Sequence, residues 1–355
     1  MHICTNEIVI SLMKKGSENT MKDIALELGL SSSTVSRALQ NHPHISQETK
    51  IKVNEAANRL GYSYNAVAAS LRNSKSNTIG LIIPRISKYY QSTVVTAIQN
   101  KLHEHKYNLM ICQSNESPEL EKELVNALYA SRVEGLIVSS TLNTTDFTHF
   151  DVFSRSNRPL VFFDRVPKNY PAHRIQGDDY HGANMATNHL LEHGCRNIAF
   201  IGGPLFCNLY RERYEGYSDA LKARDLAPDA DMAFFHDLTK ENALLSCEKL
   251  FSGKKDNWPD AVFCCNDTAA LAVTSYAKKC NIDIPGQLKI TGYSNDPLTE
   301  IINPTITSVE QYPSEVGTQA AAMILNLIQQ KLKPGKNFIS VTVAVDLVKR
   351  DSTDK

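Results

Sequence analysis

The sequence predicts a small all-α head joined to a large two-lobed α/β body, and three observations carry that prediction. Three closely spaced helix-start signals, each followed by helical apolar spacing, fall within residues 20–61. From residue 78 onward, short apolar runs alternate with helical stretches of about 15–20 residues, as parallel α/β units require. Two of those runs nearly repeat, Ile79-Gly80-Leu81-Ile82-Ile83-Pro84 and Ile198-Ala199-Phe200-Ile201-Gly202-Gly203-Pro204. The repeat marks two similar lobes of roughly 100–130 residues each.

The head begins at Thr20, a good N-cap, with Asp23 three residues on to complete a variant capping box. Ile24, Ala25 and Leu28 form one apolar stripe, and Gly29 is placed to end the helix. A second start follows at Ser31-Ser32-Ser33-Thr34, with Val35, Ala38 and Leu39 facing inward. Asn41-His42-Pro43 breaks the chain, Ser46 caps a third helix lined by Val53, Ala56, Ala57 and Leu60, and Gly61 stops it. Two short helices joined by a tight turn, with a third behind them, describe a helix-turn-helix module. The outer side of the second helix offers Ser32, Ser33, Ser36 and Arg37, all able to donate to phosphates or base edges. A helical cap on an enzyme is the plainer alternative for the same spacing.

Residues 20–72 resemble the DNA-binding headpiece of the lactose-repressor (LacI/GalR) family of bacterial transcription regulators. The matching positions include Asp23, Ala25, Gly29, Ser31, Thr34-Val35-Ser36-Arg37, Ile45-Ser46, Thr49, Leu60-Gly61-Tyr62, Asn65 and Leu71-Arg72. A looser likeness continues to Leu347-Val348-Lys349-Arg350-Asp351-Ser352-Thr353, similar to the family's usual ending. The resemblance implies a base-reading role for Ser32 and Ser33 at the start of the recognition helix. It implies a base-edge contact for Arg37, a backbone contact for His44, and further DNA contacts from Thr20, Ser31, Thr34 and Ser36. Two serines read bases less decisively than a bidentate Arg or Gln.

Asn65 to Arg72 contains good helix formers but spans only two turns, and isolated helices under about 12 residues are marginal in water. Ser74-Lys75-Ser76-Asn77 follows as a polar linker. In the resembled family this hinge folds when two copies meet in the minor groove, where a leucine from each wedges into a base step. Leu71 takes that position here, with Asn65, Ala68 and Arg72 as the other implied hinge contacts. The chain has Ala68-Ala69-Ser70-Leu71 where an Ala-Arg-Ser-Leu pattern is common, so one cation is missing.

Candidate strands of the body are Ile79–Ile83, Asn108–Gln113, Gly135–Ser139, Leu160–Phe163, Ile198–Gly202, Ala261–Cys265 and Leu288–Tyr293. Ligands of doubly wound sheets bind outside the strand C-termini. The residues that follow these strands are polar or aromatic: Tyr89-Tyr90-Gln91, Asp164-Arg165, Asn266-Asp267 and Ser294-Asn295-Asp296, with Arg211 and Arg213 after Gly203. Such a cleft suits a polyhydroxylated ligand such as a sugar, and aromatic stacking also fits a nucleobase. The resemblance implies a periplasmic-binding-protein-like core, two lobes joined by three crossovers. By position it assigns Tyr90, Asp164, Arg213, Asn266 and Ser294 to effector contacts, with Arg165 and Asp267 beside them. Arg213-Tyr214-Glu215-Gly216 matches the family's Arg-x-x-Gly well; Ser294 departs from the aspartate that many members carry.

The expected domains are an N-terminal extension over 1–19, read as disordered, and a helix-turn-helix domain over 20–64. A hinge helix and linker follow over 65–76, then a core over 77–355. Within the core, one lobe takes about 77–177 with 312–340, and the other 178–311 with 341–355. Met13, followed by Lys14-Lys15-Gly16, reads as the natural start, which makes residues 1–12 a misassigned extension; N-terminal mass spectrometry of the native protein tests this. The start lacks a basic n-region and an A-x-A-like site, so no secretory signal is expected. Because the chain stops soon after the Asp-Ser-Thr ending, without a leucine heptad, a homodimer is expected rather than a tetramer.

Composition narrows the rest. Of 355 residues, 42% are hydrophobic and 21% charged, ordinary globular usage, and no apolar run approaches the ~18–20 residues of a membrane span. The eight cysteines include no C-x-x-C pair and read as reduced, mostly buried thiols of a cytosolic protein. Thirty-eight Lys/Arg balance 38 Asp/Glu, and neutrality taken alone argues against a nucleic-acid binder. Resolved along the chain, residues 20–76 hold seven Lys/Arg against four Asp/Glu, +3, whereas residues 77–355 hold 29 against 32, −3. The zero conceals a basic reader and a mildly acidic sensor.

His189-Leu190-Leu191-Glu192-His193 matches the H-x-x-E-H zinc pattern. A catalytic zinc also needs a third ligand and an open cleft position. The segment ends at Gly194 as a helix C-terminus does, where histidine complements the dipole, so no metal and no other cofactor is expected. Gly202-Gly203-Pro204 lacks dinucleotide-site spacing, and neither a nucleophile elbow nor a P-loop is present. The expected function is a sequence-specific DNA-binding regulator, a repressor in the family's commoner mode, acting as a homodimer on a near-palindromic operator. Its effector is expected to be a sugar, with a nucleobase or sugar phosphate, or activation in place of repression, as alternatives. A periplasmic-type ligand-binding protein without a DNA role would need a signal sequence and no headpiece. An enzyme would turn its ligand over.

Overall fold

Each helix of the head starts where a side chain satisfies otherwise unpaired amides. The computed structural model describes residues 19–62, 76–330 and 338–354. Residues 1–18 of the extension expected over 1–19, and the hinge contacts Asn65, Ala68, Leu71 and Arg72, lie outside the described residues. Helix α1 (Met21–Leu28) opens with a capping box, Asp23 accepting from both the amide and the hydroxyl of Thr20 at 2.7 Å. It closes at Gly29, whose φ of 65° is left-handed and costs a residue without Cβ little. Ser31 caps α2 (Ser32–Leu39) by accepting from the Thr34 amide, and Ser46 caps α3 (Gln47–Arg59) through the Thr49 amide. Ile24, Ala25, Val35, Ala38, Val53, Ala56 and Ala57 form the small core, and an Arg59–Glu27 ion pair ties α3 to α1. Head and body are separate compact units, divided between Ser74 and Lys75.

The first lobe runs β1 (Thr78–Ile83), α4 (Tyr89–Glu104), β2 (Asn108–Gln113), α5 (Pro118–Ala130), β3 (Gly135–Val138), α6 (Asp151–Arg155), β4 (Leu160–Phe163) and β5 (His173–Gly177). The second runs α7 (Asp179–Glu192), β6 (Ile198–Gly202), α8 (Asn208–Lys222), β7 (Ala233–Phe235), α9 (Lys240–Leu250), β8 (Ala261–Cys264), α10 (Asp267–Lys279), β9 (Lys289–Tyr293), α11 (Leu298–Ile301) and β10 (Thr307–Glu310). The chain then returns through α12 (Pro313–Ile328) and β11 (Ser340–Val343) to the first lobe, and ends with β12 (Asp346–Val348) in the second.

The sheets have the orders β11-β5-β4-β3-β1-β2 and β12-β10-β9-β8-β6-β7. Every pairing is parallel except β12 with β10. The two sheets therefore share one strand order and differ in the direction of the last strand, and each reverses direction between its first and third strands, where a ligand crevice forms. Alternation on β1 feeds two cores: Ile79, Leu81 and Ile83 pack with α4 and α12, and Ile82 faces Val125 and Leu128 of α5. Seven described cysteines are unpaired, five of them buried.

Two sequence readings need correction. The third crossover falls after Val343, not at residue 340, because Ser340–Val343 pairs in register with Arg174–Gly177 of the first lobe. Strands β5, β7, β10, β11 and β12 are absent from the strands expected from sequence. They are three to five residues long; four carry polar residues, as in His-Arg-Ile-Gln-Gly and Thr-Ser-Val-Glu, and the fifth, Ala-Phe-Phe, is too short to stand out as an apolar run.

Candidate functional site

The residues expected to contact DNA in the head cluster at the start of α2. Ser31 Oγ lies 2.8 Å from both Ser33 Oγ and Thr34 Oγ1, so these hydroxyls are knitted into the cap. Ser32 and Arg37 are exposed, and no described residue holds either side chain. Ser36 is half-buried on the same face. Thr20 serves the α1 cap, and His44 is exposed, its ring 5.3 Å from that of His42. The helix thus offers one long cation and short hydroxyls, a set that contacts phosphates and base edges.

The body holds a cavity of about 430 Å³ between the C-terminal ends of both sheets. Tyr90, Asp164, Arg165, Arg213, Asn266, Asp267 and Ser294 all line it, so the fold gathers every expected effector position of the core. Arg211 does not join them; it lies along α8 near Glu212 and Glu215.

Asp164 follows β4 and Ser294 follows β9, equivalent strands of the two lobes. Both adopt positive φ, 60° and 110°, a conformation rare for residues with a side chain. Asp164 is buried and its Oδ2 accepts from Gln91 Nε2 at 3.0 Å and Ser139 Oγ at 3.3 Å. Burial pushes its carboxyl up to about 6, against the pull of Arg165. Ser294 Oγ donates to Gln311 Oε1 at 2.8 Å. The Tyr90 hydroxyl and Gln91 Oε1 are buried without a hydrogen-bond partner among the described residues. Buried polar groups are seldom left unpaired, so these two mark where a ligand or water is expected.

Arg213 is the most constrained of the set. Its Nε and Nη2 reach Asp179 Oδ1 at 2.8 and 2.7 Å, and its Nη1 donates to the Cys265 carbonyl at 2.6 Å. The guanidinium also lies 3.6 Å from the centroid of the Tyr293 ring. Of its five N–H donors three are engaged, which leaves two for the cavity. The geometry depends on Gly216, one turn further along α8. A Cβ there would fall 2.2 Å from the Tyr180 carbonyl oxygen, so only glycine lets α8 cross α7 closely enough for Arg213 to meet Asp179. The Arg-x-x-Gly spacing is a cation and the close crossing that seats it.

The remaining expected residues are more architectural. Asn266 caps α10, accepting from the Ala269 amide at 2.8 Å and donating to the Leu238 carbonyl at 3.3 Å. Asp267 is buried with its oxygens taken by Ser308 Oγ and the Asp296 amide, both at 2.7 Å, and burial holds it up to about 6. Arg165 is paired with Glu116 at 2.8 Å. Sequence reasoning missed Asp179, Glu116 and Gln311, each remote in sequence from the residue it holds; no spacing in the chain signals those partnerships.

Comparison with known proteins bears on both parts of the chain. Residues 20–65 match the family model described as bacterial regulatory proteins, lacI family, and residues 187–353 match that of a periplasmic binding protein-like domain. The HTH-type transcriptional repressor PurR of Actinobacillus pleuropneumoniae serotype 3 (strain JL03) is 30% identical over 323 residues, 89% of this chain and 92% of that protein. The chain belongs to the LacI/GalR family. Catabolite control protein A of Staphylococcus xylosus is 28% identical over 312 residues, covering 88% of this chain and 93% of its own. The solved structure of a Lac repressor dimer bound to operator and the anti-inducer ONPF superposes with a TM-score of 0.83 at 25% identity, over 95% of this chain and 99% of that one. This LacI/GalR protein is a DNA-binding transcription regulator with a ligand-binding core, and its relatives are regulators rather than enzymes. Among the described residues no helix is long and apolar enough to cross a membrane.

Proposed function

We propose that the protein is a cytoplasmic homodimeric repressor of a near-palindromic operator, controlled by a sugar bound between its lobes. The observation that carries the effector reading is the cavity itself, which sets an acceptor from one lobe, Asp164, against a charged donor from the other, Arg213. Sugar hydroxyls donate and accept at once, so one ligand engages both and favours one lobe angle over others. In this reading a reader spans 20–64, a hinge 65–76, and the first lobe of the sensor 77–177 with 312–343, the last bound supported by the pairing of Ser340–Val343 with Arg174–Gly177. Lobe movement changes the spacing of the two hinges of a dimer, and with it the formation of hinge helices on DNA. The ligand's leverage equals its differential affinity for the two lobe arrangements. This is binding without turnover, and no enzymatic step is needed.

A thermal-shift screen of the full chain against sugars, sugar phosphates and nucleobases tests the ligand class. A ligand at about 100 times its dissociation constant adds about 2.7 kcal/mol of stability. Sugars are expected to score and to be recovered unchanged; a hit confined to nucleobases refutes the sugar assignment, and a consumed ligand refutes the regulator-only reading.

A further inference from the structure

The H-x-x-E-H segment at the end of α7 acquires in the fold the third group that its sequence lacks. His189 and His193 stand one turn apart, and Asp354 returns from the last described turn of the chain to meet them. One ligand atom from each lies within 4.8 Å of the other two. Asp354 Oδ1 is 2.8 Å from His193 Nε2 and 3.9 Å from His189 Nε2.

The hydrogen bonding of His193 points to a cation at this spot. Its Nδ1 lies 2.7 Å from the His189 carbonyl oxygen, which can only accept, so Nδ1 carries the ring proton. In the neutral ring Nε2 then presents a lone pair, and that lone pair faces a carboxylate oxygen. Two acceptors this close require a positive centre between them, either a second ring proton or a metal ion. A histidine anchored through Nδ1–H to a carbonyl is also how metal-ligating imidazoles are oriented. His189 Nε2 meets Thr353 Oγ1 at 2.8 Å, but that hydroxyl also has Thr307 Oγ1 at 2.6 Å and the Arg350 carbonyl at 3.2 Å. Thr353 therefore keeps partners when His189 turns to a metal. The His193 and Asp354 side chains are 33% and 44% exposed, which leaves one side open to solvent.

We propose that His189, His193 and Asp354 form a three-ligand site for a divalent transition-metal ion of the zinc class, with water in the fourth position. Two imidazoles and one carboxylate suit zinc, cobalt or nickel, and not magnesium or calcium. The ion clamps the C-terminal turn onto the end of α7. The site lies outside the effector cavity and stands independently of the effector assignment.

The test uses the metal-stripped full chain without a polyhistidine tag, titrated with Co²⁺ and then Zn²⁺. The expected result is visible d–d absorption saturating at one equivalent per chain, without a thiolate charge-transfer band, and bleached by Zn²⁺. His193→Ala and Asp354→Asn each abolish it. Asp354→Asn, isosteric and part-exposed, keeps the test valid should His193→Ala misfold. Absence of stoichiometric uptake overturns the proposal in favour of an imidazolium–carboxylate pair. A charge-transfer band, or binding that survives in Asp354→Asn, overturns it in favour of a cysteine site or another donor set.

Discussion

Gly216→Ala separates two effects of opposite sign. On helix propensity alone the substitution stabilises α8 by about 1 kcal/mol. At this position the added Cβ falls 2.2 Å from the Tyr180 carbonyl oxygen and 3.1 Å from the Asn184 amide nitrogen, both backbone atoms of α7. Real Cβ contacts under 3.0 Å essentially do not occur, so the two helices must part by about 0.8 Å. Overpacking of this kind costs about 1–3 kcal/mol. The parting also stretches the 2.7 and 2.8 Å contacts between Arg213 and Asp179, a buried pair whose disruption is itself costly. The steric effect wins, with a net loss of about 1–2 kcal/mol, or a fall of about 2–6 °C in melting temperature at this domain size. Differential scanning calorimetry of the full chain measures it. Gly253→Ala, where a Cβ meets nothing within 4 Å, is the control and stays close to wild type. A Gly216→Ala protein as stable as wild type, or more stable, refutes the close-crossing account of the Arg-x-x-Gly motif.

Arg213→Ala is expected to abolish the effector's influence on operator binding, and Arg213→Lys to restore little of it because one ammonium cannot span Asp179 and the Cys265 carbonyl; isothermal titration with the identified effector decides. Arg37→Ala and Leu71→Ala should each weaken operator affinity by at least about tenfold in a filter-binding assay, a change of about 1.4 kcal/mol, whereas Ser33→Ala should alter it little because that hydroxyl is tied to Ser31. Asp164 titrates near 6, above the ordinary 3.8; as pH falls through 6 it takes up a proton and accepts hydroxyls less well, so effector affinity should drop between pH 7.5 and 5.5. An affinity flat across that range removes Asp164 from the contact set.

Legibility in the sequence followed the range of the interaction. The head was readable almost to the residue, because capping and helix termination at Thr20, Gly29, Ser31 and Ser46 are local, and local side-chain chemistry decides them. The strands at the centre of each sheet were readable because both of their faces are buried, which forces continuous apolar runs such as Leu160–Phe163 and Ala261–Cys264. Strands toward the edges were not, on one side of the first sheet and on both sides of the second. Ser340–Val343 is exposed or half-buried over most of its length, and its pairing with residues 174–177 is a long-range fact. The cavity positions were readable as the residues following strands, but their division of labour was not. Asp267 and Arg213 look equally available in the sequence, yet one has both oxygens spent on Ser308 and Asp296 and the other retains donors for the cavity.

The likeness of the two lobes makes their differences informative. Strand order, switch point and the left-handed residue after the fourth strand are shared, so Asp164 and Ser294 face one cavity from equivalent positions. A carboxylate at both positions would set two negative charges, one buried and one half-buried, against one ligand, and burial already raises the one that is present to about 6. Serine at 294 removes that conflict and leaves a neutral hydroxyl, while the second lobe supplies Arg213 as its charged group. Asp164 and Arg213 thus face the cavity from opposite lobes with opposite charge, and the neighbouring Arg165 and Asp267 already have partners in Glu116 and in Ser308 and Asp296. Direct contacts already join the lobes, Lys88 to Thr268 and Asn208 to the backbone of Val166 and Asp164, so a ligand that adds its own donors and acceptors to them favours the lobe angle in which it meets both sides.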